Sequence, residues 1–314
     1  MSAEREPDGR RRGTVAVSGA SGLLGSVLVP ELERRGHRVL RLVRREPRPG
    51  ADELAWSPER GLLQPHRLAG VEAIVHLAGE NIAAGRWTAG RKRAIRESRV
   101  EGTRLLVRSL AGLEPAPRVL ACASAVGWYG PRGDEPVDES APPGTGFLAS
   151  VVRDWEAAAG EAAAHGLRVV TLRYGAILDP RGGMLGRLLP LFRLGLGGPV
   201  GTGRQVISWV LSLDAARATV WAIERDDASG PYNVTAPVAV PQREFARTLG
   251  RVLGRPARLP APAFALRLVL GELADELLLA GQRVVPRRLL EAGFGFLEPE
   301  LEGALRRVLG RRAA

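Results

Sequence analysis

The sequence predicts an α/β fold, a doubly wound parallel sheet with a smaller, mostly helical C-terminal lobe. Three observations carry that reading. The apolar run Thr14-Val15-Ala16-Val17-Ser18 leads through Gly19-Ala20-Ser21-Gly22-Leu23-Leu24-Gly25 into an amphipathic run from Leu23 to Arg35, which is strand, tight turn and helix. Further apolar runs alternate with helical ones as far as Val169-Val170-Thr171-Leu172, and near-continuous apolar strands joined by helices form parallel sheets covered on both faces. After Pro180 the texture changes to Gly-rich loops and helices.

The first turn has the physics of a dinucleotide site. Gly19 permits the turn, Gly22 lets backbone approach a pyrophosphate, and Gly25 lets helix and strand pack closely. The helix N-terminus offers unpaired N–H groups and a positive dipole end to phosphate. The second strand, Arg38 to Val43, ends in Arg44-Arg45, where a site for NAD places an acid on the ribose 2′-hydroxyl. A guanidinium matches a 2′-phosphate instead, so NADP(H) is favoured over NAD(H). The competing explanation is composition: the 45 basic residues include a single lysine, Lys92, so arginine is abundant everywhere.

A third strand is expected near Glu53-Leu54-Ala55-Trp56, and a fourth, Ala73 to Leu77, leads into Ala78-Gly79-Glu80-Asn81. A helical pattern runs from Thr88 to about Leu110, the fifth strand is Arg118 to Cys122, a helix spans Phe147 to Ala164, and the sixth strand is Val169 to Leu172. Ligands of such sheets bind beyond the carboxyl ends of the strands, which singles out Gly19 to Gly25, Arg44, Ala78 to Asn81, Ser124 to Tyr129 and Tyr174 to Leu178. A helix at Asp214 to Glu224 and a strand at Tyr232-Asn233-Val234 are expected to return to the main sheet. The remaining helical runs are Met184–Leu194, Arg243–Leu253, Ala263–Leu279 and Pro299–Leu309. The expected plan is a disordered tail over 1–13, a Rossmann-type NADP-binding domain over 14–180 with return elements near 208–235, and a substrate lobe over 181–314.

Composition excludes several classes. The charge of +11 is spread along the chain, with concentrations at Arg10-Arg11-Arg12 and Arg311-Arg312, and forms no basic stripe interleaved with aromatics, so no nucleic acid is expected. One cysteine, Cys122, forbids a disulfide within the chain and reads as a buried thiol; four histidines show no metal-ligand spacing. The N-terminus lacks the apolar core of a signal peptide, and no stretch is long enough to span a bilayer. A cytoplasmic protein with no metal and no membrane partner is expected; a homodimer or a protein partner stays open.

The order of these motifs resembles the extended short-chain dehydrogenase/reductases, with Gly19, Gly22 and Gly25 as the cofactor signature and Leu77-Ala78-Gly79 as the fourth-strand motif. More narrowly, the chain is similar to an atypical branch of epimerase-family or cell-division-inhibitor-type proteins. The matching stretches include His76 to Ile82, Arg86-Trp87-Thr88, Ser98-Arg99-Val100, Ser124 to Gly130, Phe192 to Pro199, Gly203-Arg204-Gln205, Ser208-Trp209 and a C-terminal segment from Pro260 to Phe296. The resemblance implies that Gly19, Ser21, Gly22, Leu23 and Leu24 line the pyrophosphate and adenosine site. It implies that Val43 and Arg44 hold the adenine end, that Leu77, Ala78 and Gly79 lie along the cofactor, and that Arg99 faces back toward it.

Typical members of the wider family carry a Tyr-x-x-x-Lys pair. Here it cannot exist: four residues after Tyr129, Tyr174 and Tyr232 stand Gly133, Leu178 and Ala236. Where the family aligns the pair, this chain has Phe147 and Val151, and neither exchanges a proton. Three readings follow. The chain is an oxidoreductase or epimerase with another acid/base, for which Ser124, Tyr129, Glu80 and Asp154 are candidates; or a non-catalytic NADP(H)-sensing protein acting through a partner; or an interaction protein with a vestigial site. Ser124 and Tyr129 are the leading catalytic candidates. The second lobe is expected to close over the nicotinamide and form a substrate pocket with Glu80, Trp87, Gln205 and Trp209. The branch often has a histidine shortly after the Trp209 position, where this chain offers Leu211 and Ser212.

Overall fold

The computed structural model describes residues 12–62 and 64–311. Most of the expected N-terminal tail, residues 1–11, therefore lies outside the described residues, as does Arg312. Of the tail's described residues, Arg12 is held: it donates its backbone N–H to the Gly36 carbonyl at 3.1 Å and pairs with Glu224.

In chain order the framework is β1 (Thr14–Ser18), α1 (Gly25–Arg34), β2 (Arg38–Val43), β3 (Glu53–Ser57), β4 (Gly61–Leu62), β5 (Val71–His76), α2 (Ala89–Arg108), β6 (Val119–Ala125), α3 (Phe147–Gly160) and β7 (Arg168–Tyr174). It continues with α4 (Gly183–Arg193), α5 (Ser212–Glu224), β8 (Gly230–Val234), α6 (Gln242–Leu253), α7 (Ala263–Leu270), α8 (Arg287–Glu291) and α9 (Leu301–Val308).

Eight strands form one sheet in the order β8-β7-β6-β5-β1-β2-β3-β4, parallel throughout except for the β3–β4 hairpin at the edge. The chain winds outward from β1 to β4, then crosses back to β5 and winds the other way. Since such crossovers are right-handed, the helices of the two halves fall on opposite faces. Accordingly α1 lies on one face and α2 packs with α3 on the other, while α5, which the chain reaches through elements of the second lobe and not by a direct crossover from β7, packs beside α1. The strands are buried on both sides, as Val15, Ala16, Val17, Ile74, Val75 and Leu120 illustrate. The point of reversal lies between β1 and β5, with Ser18 in register with both Leu42 and His76. The carboxyl ends of β1, β2 and β5 therefore meet at one edge, where an open α/β sheet leaves its crevice.

The second lobe has its own core, in which α4, α6 and α9 bring together Leu185, Phe192, Phe245, Leu249 and Leu305. Of the expected return elements, β8 joins the main sheet beside β7, whereas Trp209–Leu211 pairs with Ala176–Leu178 apart from it. The single helix expected over Ala263–Leu279 is broken: Gly271 adopts a φ of 62°, and the chain resumes as a π-helical turn at Ala274–Leu279.

Candidate functional site

The glycine turn is built as its sequence requires. Gly19 adopts a φ of 70°, and the Gly22 N–H closes the turn onto its carbonyl at 2.9 Å. A Cβ on Gly25 would stand 2.2 Å from that same carbonyl oxygen, so only glycine lets α1 begin here. Gly22 is less confined from within: its Cβ would meet only the Gly19 oxygen, at 3.1 Å, and it faces outward with Ser21. No side chain caps α1 and no acid stands in its first turn, which leaves the positive end of the helix facing the crevice. Leu24 is buried beneath the turn, while Leu23 reaches across to the Gly182-Gly183 loop of the second lobe.

Behind the turn lies a contact the sequence reading missed. Ser18 Oγ accepts the N–H groups of Leu77, at 3.1 Å, and Ala78, at 3.3 Å, and lies 2.7 Å from His76 Nδ1. With its acceptor side occupied, the hydroxyl proton goes to Nδ1, which puts the ring hydrogen on Nε2. Complete burial pushes His76 down to about 4, so the ring is neutral. The pair ties the end of β1 to the loop after β5 and fixes Leu77 and Ala78 beside Gly19. The sequence signal was a polar residue ending each of two mainly apolar strands, Ser18 and His76, which pair in register.

The two arginines after β2 have different fates. Arg45 forks onto Glu53 at 2.6 and 2.9 Å, and hydrogen bonds from Arg45 and from Arg48 hold Glu53 at about 2. Arg44 is exposed and makes no hydrogen bond or ion pair among the described residues. Val43, half-buried, ends the strand before it.

Beyond β5, Gly79 gives room to Arg99 of α2: a Cβ there would lie 3.1 Å from Arg99 Cζ. Arg99 donates to the Glu80 carbonyl at 2.9 Å and to the Ile95 carbonyl at 3.2 Å, and lies over the Trp155 ring at 5.2 Å. Burial without a bonded carboxylate lowers it to about 10, so a cation is held at the crevice by carbonyls and an aromatic face. The Glu80 side chain pairs with Arg91 at 2.8 Å.

The residues expected to carry acid–base chemistry are committed elsewhere. Ser124 donates to Glu156, whose carboxylate is forked by buried Arg173 at 2.7 and 2.8 Å. Arg173 Nη1 donates to the Tyr129 hydroxyl at 3.0 Å, and that hydroxyl donates to Asn233 Oδ1 at 2.7 Å. Tyr129 is fully buried, and burial pushes its phenol up to about 12. Asp154 lies below the ordinary carboxylate range: burial opposes this, but hydrogen bonds from Arg96 and Arg153 outweigh it.

Phe147 and Val151 occupy the first turns of α3, Val151 buried and Phe147 edge-on to Trp87 with ring centroids 5.2 Å apart. Lys92 Nζ lies 4.6 Å from the Phe147 ring centroid and bonds both oxygens of Glu272, at 2.7 and 2.9 Å. Three of the expected pocket residues are differently employed. Trp209 is wholly enclosed in the second-lobe core with its indole N–H on the Val238 carbonyl at 2.9 Å, because the segment that carries it pairs as a strand. The Gln205 amide donates to the carbonyls of Val200 and Leu278, at 3.0 and 2.8 Å, which staples two loops. Trp87 is buried, its N–H on the Ile82 carbonyl at 2.8 Å. Among the described residues, no group of side chains has metal-ligand geometry and no helix is long and apolar enough to cross a membrane.

Comparison with known proteins agrees with this layout. Residues 15–235 match the NAD dependent epimerase/dehydratase family, and residues 261–308 match a domain of unknown function, DUF1731. An epimerase family protein of Mycobacterium tuberculosis is 46% identical over 282 residues, covering 90% of this chain and 93% of the relative. The human epimerase family protein SDR39U1 is 37% identical over 301 residues, covering 94% and 99%. A crystal structure of the human protein with NADPH superposes with a TM-score of 0.86 at 34% identity, covering 95% of this chain and 99% of that one. A nucleoside-diphosphate sugar epimerase from Corynebacterium glutamicum superposes at 0.78 and 35% identity, covering 95% of this chain but 58% of that one. With its glycine turn, its switch-point crevice and these relatives, the chain belongs to the NAD-dependent epimerase/dehydratase family.

Proposed function

We propose that this chain binds NADP(H) across the crevice at the carboxyl ends of β1, β2 and β5, and acts as an oxidoreductase or epimerase on a small-molecule substrate without a tyrosine proton donor. The observation that carries the cofactor choice is the contrast at the end of β2. Arg45 is spent on Glu53, while Arg44 stands exposed with all its donors available to a 2′-phosphate. The uncapped start of α1 would take the pyrophosphate, with Gly19, Ser21, Gly22 and Leu23 around it. Leu77, Ala78, Gly79 and Arg99 would border the nicotinamide half. That the human relative was crystallised with NADPH supports the same reading.

When bound, the cofactor supplies or accepts hydride. The residues of this chain would position it and exclude water, with the second lobe meeting the turn through Leu23. Glu80, paired with Arg91 and half-exposed, is the acid of the crevice left nearest the Gly79 loop. A specific observation favours the non-catalytic, NADP(H)-sensing reading as the alternative: the hydroxyls of Ser124 and Tyr129 both face a closed internal network. The experiment that separates the two is stopped-flow oxidation of NADPH against a panel of carbonyl substrates, after mass spectrometry of the cofactor that copurifies. Copurified NADP(H) with turnover supports the enzyme; copurified NADP(H) without it on any substrate supports the sensor; absence of affinity for either cofactor overturns both.

A further inference from the structure

We infer that the outer surface of the second lobe, where α4 ends and the loop before α7 runs, is a docking face for an anionic lipid surface. The sequence first shows the segregation. Residues 180–213 and 245–271 contain no aspartate or glutamate, yet carry nine arginines. The same two stretches hold seven of the nine large apolar side chains most exposed among the described residues, including Leu194 at 73%, Leu268 at 75% and Phe264 at 72%.

The fold puts the two stretches side by side. Leu259 donates its N–H to the Gly197 carbonyl at 3.2 Å, Ala261 to the Pro199 carbonyl at 2.8 Å, and Gly201 to the Ala261 carbonyl at 2.9 Å. Leu194, Leu196 and Leu259 thus emerge from adjoining loops, and α7 continues directly from them with none of its residues buried. Arg193, Arg255 and Arg258 stand among these leucines, exposed, and their side chains make no hydrogen bond or ion pair among the described residues.

Arg181, Arg251 and Arg267 pair with acids outside the two stretches, but exposed apolar groups beside the unpaired Arg193, Arg255 and Arg258 still call for an occupant that is apolar within and negative outside. A bilayer interface rich in acidic lipid is that: leucine and phenylalanine side chains enter the acyl boundary while arginines meet phosphates. A second copy of this chain fits poorly, since a two-fold contact would set arginine against arginine. Nucleic acid would answer the arginines and leave the leucines in water. The expectation of no membrane partner rested on the lack of a spanning stretch, which a face that lies on the surface does not need.

The test is flotation of the full chain with vesicles of phosphatidylcholine alone and of phosphatidylcholine mixed with phosphatidylglycerol. The expected result is flotation with the anionic vesicles only. Leu194→Ser with Leu259→Ser, and separately Arg255→Glu with Arg258→Glu, should each lower the bound fraction about tenfold at unchanged near-UV circular dichroism. All four side chains are exposed, so neither pair threatens the core. No flotation with anionic vesicles would overturn the assignment. So would flotation untouched by the leucine substitutions, which would reduce it to bare charge, or release of the bound chain by equimolar duplex DNA.

Discussion

Tyr129 gives its one hydroxyl proton to Asn233 Oδ1, 2.7 Å away on β8, while Arg173 of β7 donates to the Tyr129 hydroxyl oxygen. Together with Ser124 and Glu156 this is a satisfied polar network inside the sheet, where a missing partner costs more than the bond itself contributes. The two hydroxyls that sequence singles out as proton donors therefore read as architecture.

Substitution separates the two roles for Tyr129. Tyr129→Phe strands the Asn233 oxygen and removes an acceptor from Arg173, so it should destabilise the fold by about 1–3 kcal/mol in urea titration. NADPH affinity should stay within about twofold, a change of roughly 0.4 kcal/mol. Full stability with lost turnover would return Tyr129 to catalysis.

The burial of His76 makes stability depend on pH. His76 is lowered from 6.5 to about 4 in the folded chain, so between those values the unfolded state binds the extra proton. Stability from this group is complete above pH 6.5 and falls as pH drops toward 4, by about 3 kcal/mol in all. His76→Gln should remove that increment from the pH profile of urea unfolding. A variant whose profile overlays the parent's between pH 4 and 7 would show that His76 titrates normally.

Two glycines of the turn should fail differently. A Cβ at Gly25 meets backbone at 2.2 and 2.7 Å, so Gly25→Ala should unseat α1 and lower the melting temperature. At Gly22 the first atom met is 3.1 Å away and the outer side is open, so Gly22→Val should fold with a normal circular dichroism spectrum yet lose NADPH binding. Normal affinity in the Gly22 variant would place the phosphates elsewhere.

Phe147 and Val151 leave no proton relay at the start of α3, and general acid–base help is worth typically about 10²–10⁴-fold. Turnover of nucleotide sugars and simple ketones by the parent should thus be near background. Robust activity on such a panel, reduced by Glu80→Gln, would assign the acid to the Gly79 loop; robust activity indifferent to that change would contradict the site as drawn.

Much of the sheet could be read from sequence because its strands are apolar on both faces, so Val15 to Val17 or Ile74-Val75 admit no other place than a core. The helices around it were legible from period and caps; α2 starts one residue after Thr88, whose hydroxyl accepts the Arg91 N–H at 3.2 Å. Short elements were not: β4 and α8 are too brief to show a period. Gly271 reads as a tolerated glycine in a long apolar run, yet its left-handed conformation ends α7. At the site, the glycine turn and Arg44 stand out because local geometry and charge decide them. Trp209 and Gln205 misled, since an aromatic and an amide beside Gly-rich loops look like a pocket, and only long-range pairing with Ala176–Leu178 and Leu278 shows where they point. Glu156, Arg173 and Asn233 were invisible for the same reason, being brought to Tyr129 from three distant elements.

Recognition of a 2′-phosphate by Arg44 is tested by titrating NADPH and NADH into the parent and into Arg44→Ala and following tryptophan fluorescence. The parent should prefer NADPH; the variant should lose about 1–3 kcal/mol of NADPH affinity and keep its NADH affinity. Equal losses for both cofactors, or a parent that prefers NADH, would contradict it.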